Sequence, residues 1–322
     1  MKAPKFWRVN GIIAQLLLPF SVFYYLFTIL RNRGALPRIL SAKIVCIGNI
    51  TAGGAGKTPT AIAIGNFLKI KKKKFAYVSK GYLGKIRIPT KVDIKKHTAV
   101  DVGDEALLLA REGDCWVGKS RFDTCNEAIK NGAKILILDD GMQDLSIAKD
   151  VTLLVIDGTY GFGNGLVIPA GPLRGRKDVA VEKCDGVILI GEDKHKVSDF
   201  VKKYKRPIIK AEFKPKISID KKQKYIAFAG IGNPEKFFLS LEKIGIKPIH
   251  KIEFPDHHYY SRFDISRLQK LAKQNEAKLI TTEKDLIRLP EKFKQEILTL
   301  PVDLIFANES KIENILEHIL VG

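Results

Sequence analysis

The 322-residue chain is short of cysteine and of negative charge. Its four cysteines, Cys46, Cys115, Cys125 and Cys184, lie far apart and form no C-x-x-C pair. That excludes a disulfide framework and a thiolate zinc site, and it fits a reducing compartment. Asp and Glu total 35 against 55 Lys and Arg, a formal net charge of +20. Such a balance favours anionic partners: acidic lipid headgroups, phosphorylated substrates or nucleic acid. Much of it lies in lysine runs at 71–74 and 221–222, which read as solvated faces. No motif interleaves aromatic with basic residues, so nucleic acid is not an expected partner. There is no internal repeat, no low-complexity linker and no [NT]-K-x-D guanine signature. No protein partner is implied.

What is present begins at residues 43–59, K-I-V-C-I-G-N-I-T-A-G-G-A-G-K-T-P. The apolar run 44–47 predicts a buried strand, and a helical pattern follows from 59 to 68. A glycine-rich turn between strand and helix is the context of a phosphate-binding loop. Gly53, Gly54 and Gly56 let the backbone approach an anion, with Thr51, Ala52 and Ala55 completing the turn. The amides and the helix N-terminus aim partial positive charge at that anion. Lys57 would neutralise the β- and γ-phosphates of ATP, and Thr58 would offer its hydroxyl to Mg²⁺. The pattern G-x-x-x-x-G-K-[ST] is broken once, by Thr51 in place of its first glycine.

Residues 11–30 carry no charge. As one helix they would span ~30 Å, the thickness of a bilayer core. Lys2, Lys5 and Arg8 precede the segment, Arg31, Arg33, Arg38 and Lys43 follow it, and Trp7 stands at headgroup level. Gln15, Pro19, Ser21 and the Tyr24-Tyr25 pair weaken a spanning helix. The segment therefore reads either as a membrane-crossing anchor or as a helix lying in the interface. A buried core helix is the plain alternative. A cleaved signal peptide is disfavoured, because no small-x-small site follows and an ATP loop would be idle outside the cytosol.

Further along, strands at 75–79, 134–138, 152–156 and 186–190 alternate with helices near 105–111 and 197–204. This predicts an α/β fold, a mainly parallel sheet covered by helices on both faces. Composition turns polar and basic around 214–224, and the pattern then restarts with strand 225–229, helix 235–244 and strands at 278–282 and 304–307. The expected organisation is an N-terminal membrane helix over 1–33, a nucleotide-binding lobe over 34–215, and a smaller α/β lobe over 216–322 that closes a cleft.

Several carboxylates could carry chemistry. Residues 135–139 form an apolar run ending in Asp139-Asp140-Gly141, the pattern of a strand whose terminal acid holds Mg²⁺. The plain reading is a turn. Asp104 precedes an apolar helix; it reads as a helix cap or as the base that accepts the proton of an attacking hydroxyl. Phe254-Pro255-Asp256-His257-His258 is the one paired-histidine segment, and a histidine there could orient a carboxylate and tune it. Residues 157–177 are rich in Gly and Pro and end with Arg174, Arg176 and Lys177, an ordered loop with an anion-facing end.

Taken in order, these segments resemble the tetraacyldisaccharide 4'-kinases of lipid A biosynthesis over nearly the whole chain. They are Gly48-Asn49-Ile50 running into Gly53-Gly54-Ala55-Gly56-Lys57-Thr58-Pro59, then Ser79-Lys80-Gly81-Tyr82, Gly103-Asp104-Glu105 and Asp139-Asp140-Gly141-Met142-Gln143. After them come Gly161-Phe162-Gly163-Asn164-Gly165, Pro169-Ala170-Gly171-Pro172-Leu173-Arg174, Asp256-His257 and Thr282-Glu283-Lys284-Asp285. The resemblance implies a P-loop NTPase-like fold and ATP- and Mg²⁺-dependent phosphorylation of a tetraacylated glucosamine disaccharide 1-phosphate at its 4' hydroxyl. It implies an N-terminal helix at the bacterial inner membrane with the active site on the cytoplasmic side. It pairs Asp104 with His257 as catalytic residues. Thr58 with Asp139 or Asp140 becomes the metal site, and Lys80, Asn164 and Arg174 become candidates for substrate contact. Two departures stand out. Lys80 replaces the usual Arg, which removes a bidentate phosphate contact. Met142 and Asp144 replace the residues usual beside Gln143, among them a histidine.

One rival reading is a membrane-associated P-loop ATPase that acts as a switch. The signature Lys before its Gly-Gly pair is absent here, since Ala52 holds that place.

Overall fold

A computed structural model describes residues 4–32, 34, 36–216 and 218–320. Among the described residues thirteen strands form two sheets: β1 Lys43–Gly48, β2 Phe75–Ser79, β3 Thr90–Lys91, β4 Cys115–Val117, β5 Ile135–Asp139, β6 Val151–Asp157, β7 Gly186–Ile190, β8 Ile208–Pro215, β9 Tyr225–Ala229, β10 His250–Glu253, β11 Lys278–Thr281, β12 Ile297–Thr299 and β13 Val302–Phe306. The larger sheet runs β13-β8-β7-β6-β1-β5-β2-β4-β3, and the smaller β10-β9-β11-β12. Every pairing is parallel except β13 with β8 and β3 with β4.

The buried strands explain the continuous apolar runs. In β1, Val45 and Ile47 join the core on one face, while Ile44 joins the other. Strand β5 divides in the same way, Ile135 and Ile137 against Leu136 and Leu138. Both faces are covered, so alternation of polar and apolar residues vanishes. Each fully buried Val, Leu or Ile adds roughly 1.5–3 kcal/mol of transfer free energy.

Helix α3 (Lys57–Ile70) follows β1, α4 (Asp104–Glu112) precedes β4, and α5 (Arg121–Lys130) precedes β5. In the smaller unit α6 (Pro234–Lys243), α7 (Arg262–Gln274) and α8 (Glu283–Arg288) follow β9, β10 and β11. The chain then returns. β13 pairs with β8, and α9 (Glu309–Leu320) places Ile312, Leu316 and Ile319 in the core of the larger sheet. The last strand of the sequence pattern thus belongs to the first sheet, although it lies within the last third of the chain.

At the N-terminus a single membrane-crossing helix does not form. Among the described residues no helix is long and apolar enough to cross a membrane. Residues 11–30 instead form α1 (Ile12–Leu16) and α2 (Leu18–Asn32), with Leu17 between them. The physical reason is Pro19, which has no amide hydrogen and sits where α2 restarts. The 15 residues of α2 extend only ~22 Å. The core-helix reading fails too. Ala14 and Ser21 are buried, whereas Ile12, Leu16, Phe20, Phe23 and Phe27 point outward, 61–76% exposed.

Candidate active site

The phosphate loop leaves β1 at the centre of the larger sheet, between β5 and β6. Ligands of open α/β sheets bind beyond the carboxyl ends of such strands. Gly56 stands before α3 with φ +95°, and a Cβ there would lie 2.6 Å from Ile190 Cδ1. Only glycine fits both demands. Thr51 is tolerated because its backbone is not left-handed; it forms an isolated antiparallel bridge with Leu173. The Asn49 side-chain amide donates to Thr51 O at 2.7 Å, and Asn49 Oδ1 accepts from Lys57 Nζ at 3.2 Å.

Two acids end β5. Asp139 is buried, and its Oδ2 accepts the Thr58 hydroxyl at 2.9 Å. Asp140 adopts φ +56°, and its Oδ2 lies 3.7 Å from Lys57 Nζ and 3.4 Å from Arg174 Nη1. Buried Arg121 donates to the carbonyls of both acids at 3.0 Å, which holds the turn. Asp139 Oδ1 and Asp140 Oδ1 are buried with no hydrogen-bond partner. Burial, and then the charge of Glu105, push Asp139 up to about 7. A hydroxyl beside orphaned carboxylate oxygens is a donor set that suits a hard cation, which takes oxygen ligands and keeps several waters.

Across the cleft, Asp104 is the first residue of α4, and the cap position is Gly103. Asp104 Oδ1 accepts the Glu105 amide at 3.0 Å, and its Oδ2 meets His257 Nδ1 at 3.2 Å. Asp104 thus reaches the second sheet's loop instead of capping its helix. His257 itself has φ +57° and packs edge-on against Tyr82. Burial alone would raise Asp104; the bond to His257 and the charges of Lys284 and Arg288 outweigh it and bring it down to about 2. The hydrogen bond to Asp104 is what raises His257, against the opposing effect of burial.

These opposite shifts define a pH window. A histidine raised on folding stabilises fully below its unfolded value of 6.5 and loses that contribution as pH rises through the folded value. An aspartate lowered on folding stabilises fully above 3.8 and loses that contribution as pH falls towards 2. The pair therefore stabilises most between these unfolded values. We expect His257→Ala to lower the melting temperature most between about pH 4 and 6.5, and by progressively less as pH rises above that window. Melting curves of both proteins across that range check it.

Lys57, Thr58, Asp104, Asp139, Asp140, Arg174 and His257 line one cleft of ≈ 2820 Å³ that also takes in Lys80 and the Tyr24-Tyr25 pair of α2. Among the described residues no cluster of three or more His, Cys, Asp or Glu could hold a metal. Asn164 is drawn elsewhere. Its amide nitrogen donates to Ala170 O at 2.9 Å and Phe6 O at 3.3 Å, and its Oδ1 accepts from Leu166 N at 3.1 Å.

A sequence model of the tetraacyldisaccharide-1-P 4'-kinases, LpxK, matches residues 13–321. The chain belongs to the tetraacyldisaccharide 4'-kinase family. A tetraacyldisaccharide 4'-kinase of Paramagnetospirillum magneticum is 41% identical over 313 residues, 94% of each chain. The Rickettsia typhi member is 37% identical over 305 residues, covering 95% of this chain and 94% of its own. A crystal structure of LpxK from Aquifex aeolicus in complex with ATP superposes with a TM-score of 0.79 at 25% identity. That match covers 96% of this chain and 100% of the Aquifex one.

Within the family fold, four charged residues make site contacts that sequence reasoning did not assign, although Glu105 and Lys284 stand in segments it singled out. Glu105 pairs with Lys284 at 2.9 Å across the two units. The Lys284 charge is the largest cause lowering Glu105. Burial would depress Lys284; Glu105 and Asp104 outweigh it and hold it up. Arg288 lies 3.7 Å from Asp104 Oδ2 and is fixed by Asp285 Oδ1 at 2.8 Å and Gly230 O at 2.9 Å. The fourth is Arg121. The signal for Lys284 and Arg288 was the polar turn after β11; nothing local marked Arg121.

Proposed function

We propose that this protein transfers the γ-phosphoryl group of ATP to the 4' hydroxyl of a tetraacylated glucosamine disaccharide 1-phosphate, a step of lipid A biosynthesis. The observation that carries this reading is the meeting of the phosphate loop with the Asp104–His257 pair in one cleft, in a chain of this family. The loop from Thr51 to Thr58 holds the triphosphate, with Lys57 and Arg174 supplying positive charge. Asp104 accepts the proton of the 4' hydroxyl as its oxygen bonds to the γ-phosphorus and ADP leaves. An aspartate held near 2 is ionised throughout the neutral range but weakly basic, so proton transfer falls late and most of the rate comes from positioning and charge stabilisation. His257, raised by Asp104, orients that carboxylate. Thr58, Asp139 and Asp140 would hold Mg²⁺, which supplies charge neutralisation at the phosphates. Lys80, at the cleft wall, is assigned to the acceptor.

In this scheme the nucleotide lobe comprises 34–215 together with the returning β13 and α9, and the smaller unit built on β9 to β12 supplies His257 and closes the cleft. The N-terminal helices lie in the interface of the bacterial inner membrane on its cytoplasmic side. Their outward apolar faces and the nearby Arg31 and Arg38 support that placement. Alkaline carbonate should therefore strip most of the full-length protein from membranes; protein that stays in the pellet would instead mark a crossing helix.

The reading is tested by the dependence of ATP consumption on acceptor. Turnover should require the disaccharide lipid, whereas an ATPase switch would hydrolyse ATP without it.

A further inference from the structure

The N-terminal segment is hydrogen-bonded to the loop that pairs with the phosphate loop. Ser21 is only 5% exposed. Its hydroxyl donates to Val167 O at 2.8 Å and accepts from the Ala170 amide at 3.0 Å, with a longer approach to Leu17 O at 3.3 Å. The Trp7 indole N–H donates to Pro169 O at 2.9 Å. The Asn164 amide donates to Trp7 O at 2.7 Å. A few residues on, the same loop meets the phosphate loop. The Ala52 amide donates to Pro172 O at 2.8 Å, and the Arg174 amide donates to Ile50 O at 2.7 Å. The Arg174 guanidinium then reaches Asp140. Apart from the half-buried Trp7 indole and the Arg174 guanidinium, the links are backbone groups and the buried Ser21 hydroxyl, so little slack separates α2 from the phosphate loop.

The opposite side of these helices is apolar and exposed, with Phe23 at 72% and Phe27 at 63%. One face of the segment suits a lipid surface, and the other is bonded to the phosphate site's neighbour. We propose that Ser21 and Trp7 are positioning residues: they fix residues 164–174 so that Arg174 and the Thr51–Ala52 turn stand in place for ATP. The turnover part of this inference rests on the function proposed above; the ATP-affinity part does not. Removing the Ser21 hydroxyl strands the buried Ala170 amide and takes from Val167 O one of its two donors, leaving it the Gly171 amide at 3.1 Å. The loop must shift to pair them again, and misplacement of a positioning loop slows transfer.

The test uses the full chain with Ser21→Ala, Trp7→Phe (which keeps an aromatic ring and loses the N–H) and, as a control on the lipid face, Phe23→Ala. Three quantities are measured: the ATP dissociation constant by calorimetry, kcat and lipid KM in detergent micelles, and cosedimentation with phosphatidylethanolamine–phosphatidylglycerol vesicles. Ser21→Ala and Trp7→Phe should each weaken ATP binding and lower kcat by about fivefold or more, with vesicle binding and lipid KM within about twofold. Phe23→Ala should weaken vesicle binding and leave ATP affinity unchanged. If both variants bind ATP within about twofold of the unsubstituted protein, or if turnover falls only in step with vesicle binding, the inference is overturned. Should Ser21→Ala lack a melting transition, Trp7→Phe decides. Absence of transfer by the unsubstituted protein would refute the proposed function, while the ATP affinities would still decide this inference.

Discussion

Replacing Lys57 by alanine lowers kcat by at least about 10²-fold, the scale of losing a major transition-state charge contact. Its ammonium is the mobile positive charge of the turn, held by Asn49 at 3.2 Å and facing Asp140 at 3.7 Å. Alanine also removes the cation that offsets the paired acids ending β5, so the melting temperature must be followed alongside. A well-folded Lys57→Ala protein with near-normal transfer would sink the phosphate-loop assignment. Arg174 cannot substitute, because it reaches Asp140 from the other loop at 3.4 Å and presents a fork where the ammonium presents a point charge.

The second large effect belongs to the Asp104–His257 pair. Asp104→Asn keeps shape and loses the proton acceptor, so kcat should fall by about 10²–10⁴-fold while the ATP dissociation constant moves little. His257→Ala should cost less, since the carboxylate remains and only its orientation is lost. In the double variant the combined loss should be clearly smaller than the product of the single losses, because the two act as a unit. Purely multiplicative losses would mean that they work separately, and His257 would then affect turnover by a route other than Asp104. In His257→Ala the charges of Lys284 and Arg288 still lower Asp104, although the bond to His257, the largest of its lowering causes, is lost.

The legible parts of this molecule were those with a local signature. Strands β1, β5, β6, β7 and β9 are buried on both faces, so each shows as an uninterrupted apolar run. The phosphate loop combines two such neighbours with glycines at fixed spacing. Strand β8 alternates buried and exposed residues before becoming wholly exposed, and β3 has two residues, so neither stood out. The return of β13 to the larger sheet is a long-range pairing that no local pattern encodes. The same holds for the Glu105–Lys284 pair, 179 residues apart. Asn164 became a candidate through the family resemblance, and no local pattern foretold its partners, which are backbone groups of its own loop and of the N-terminal turn. At the N-terminus the apolar character and Pro19 were both visible. What the sequence did not show is which face packs: Ala14 and Ser21 turn inward, and the large apolar side chains turn out.

The most direct measurement is the position of the transferred phosphate. The full-length protein is incubated in detergent micelles with ATP, MgCl₂ and the tetraacyl disaccharide 1-phosphate, and the lipid product is analysed by phosphorus NMR and mass spectrometry. The account predicts one added phosphate on the 4' oxygen, formed in step with ADP and lost with Lys57→Ala and Asp104→Asn. ADP formed without phosphorylated lipid, or phosphate on another hydroxyl, would contradict it.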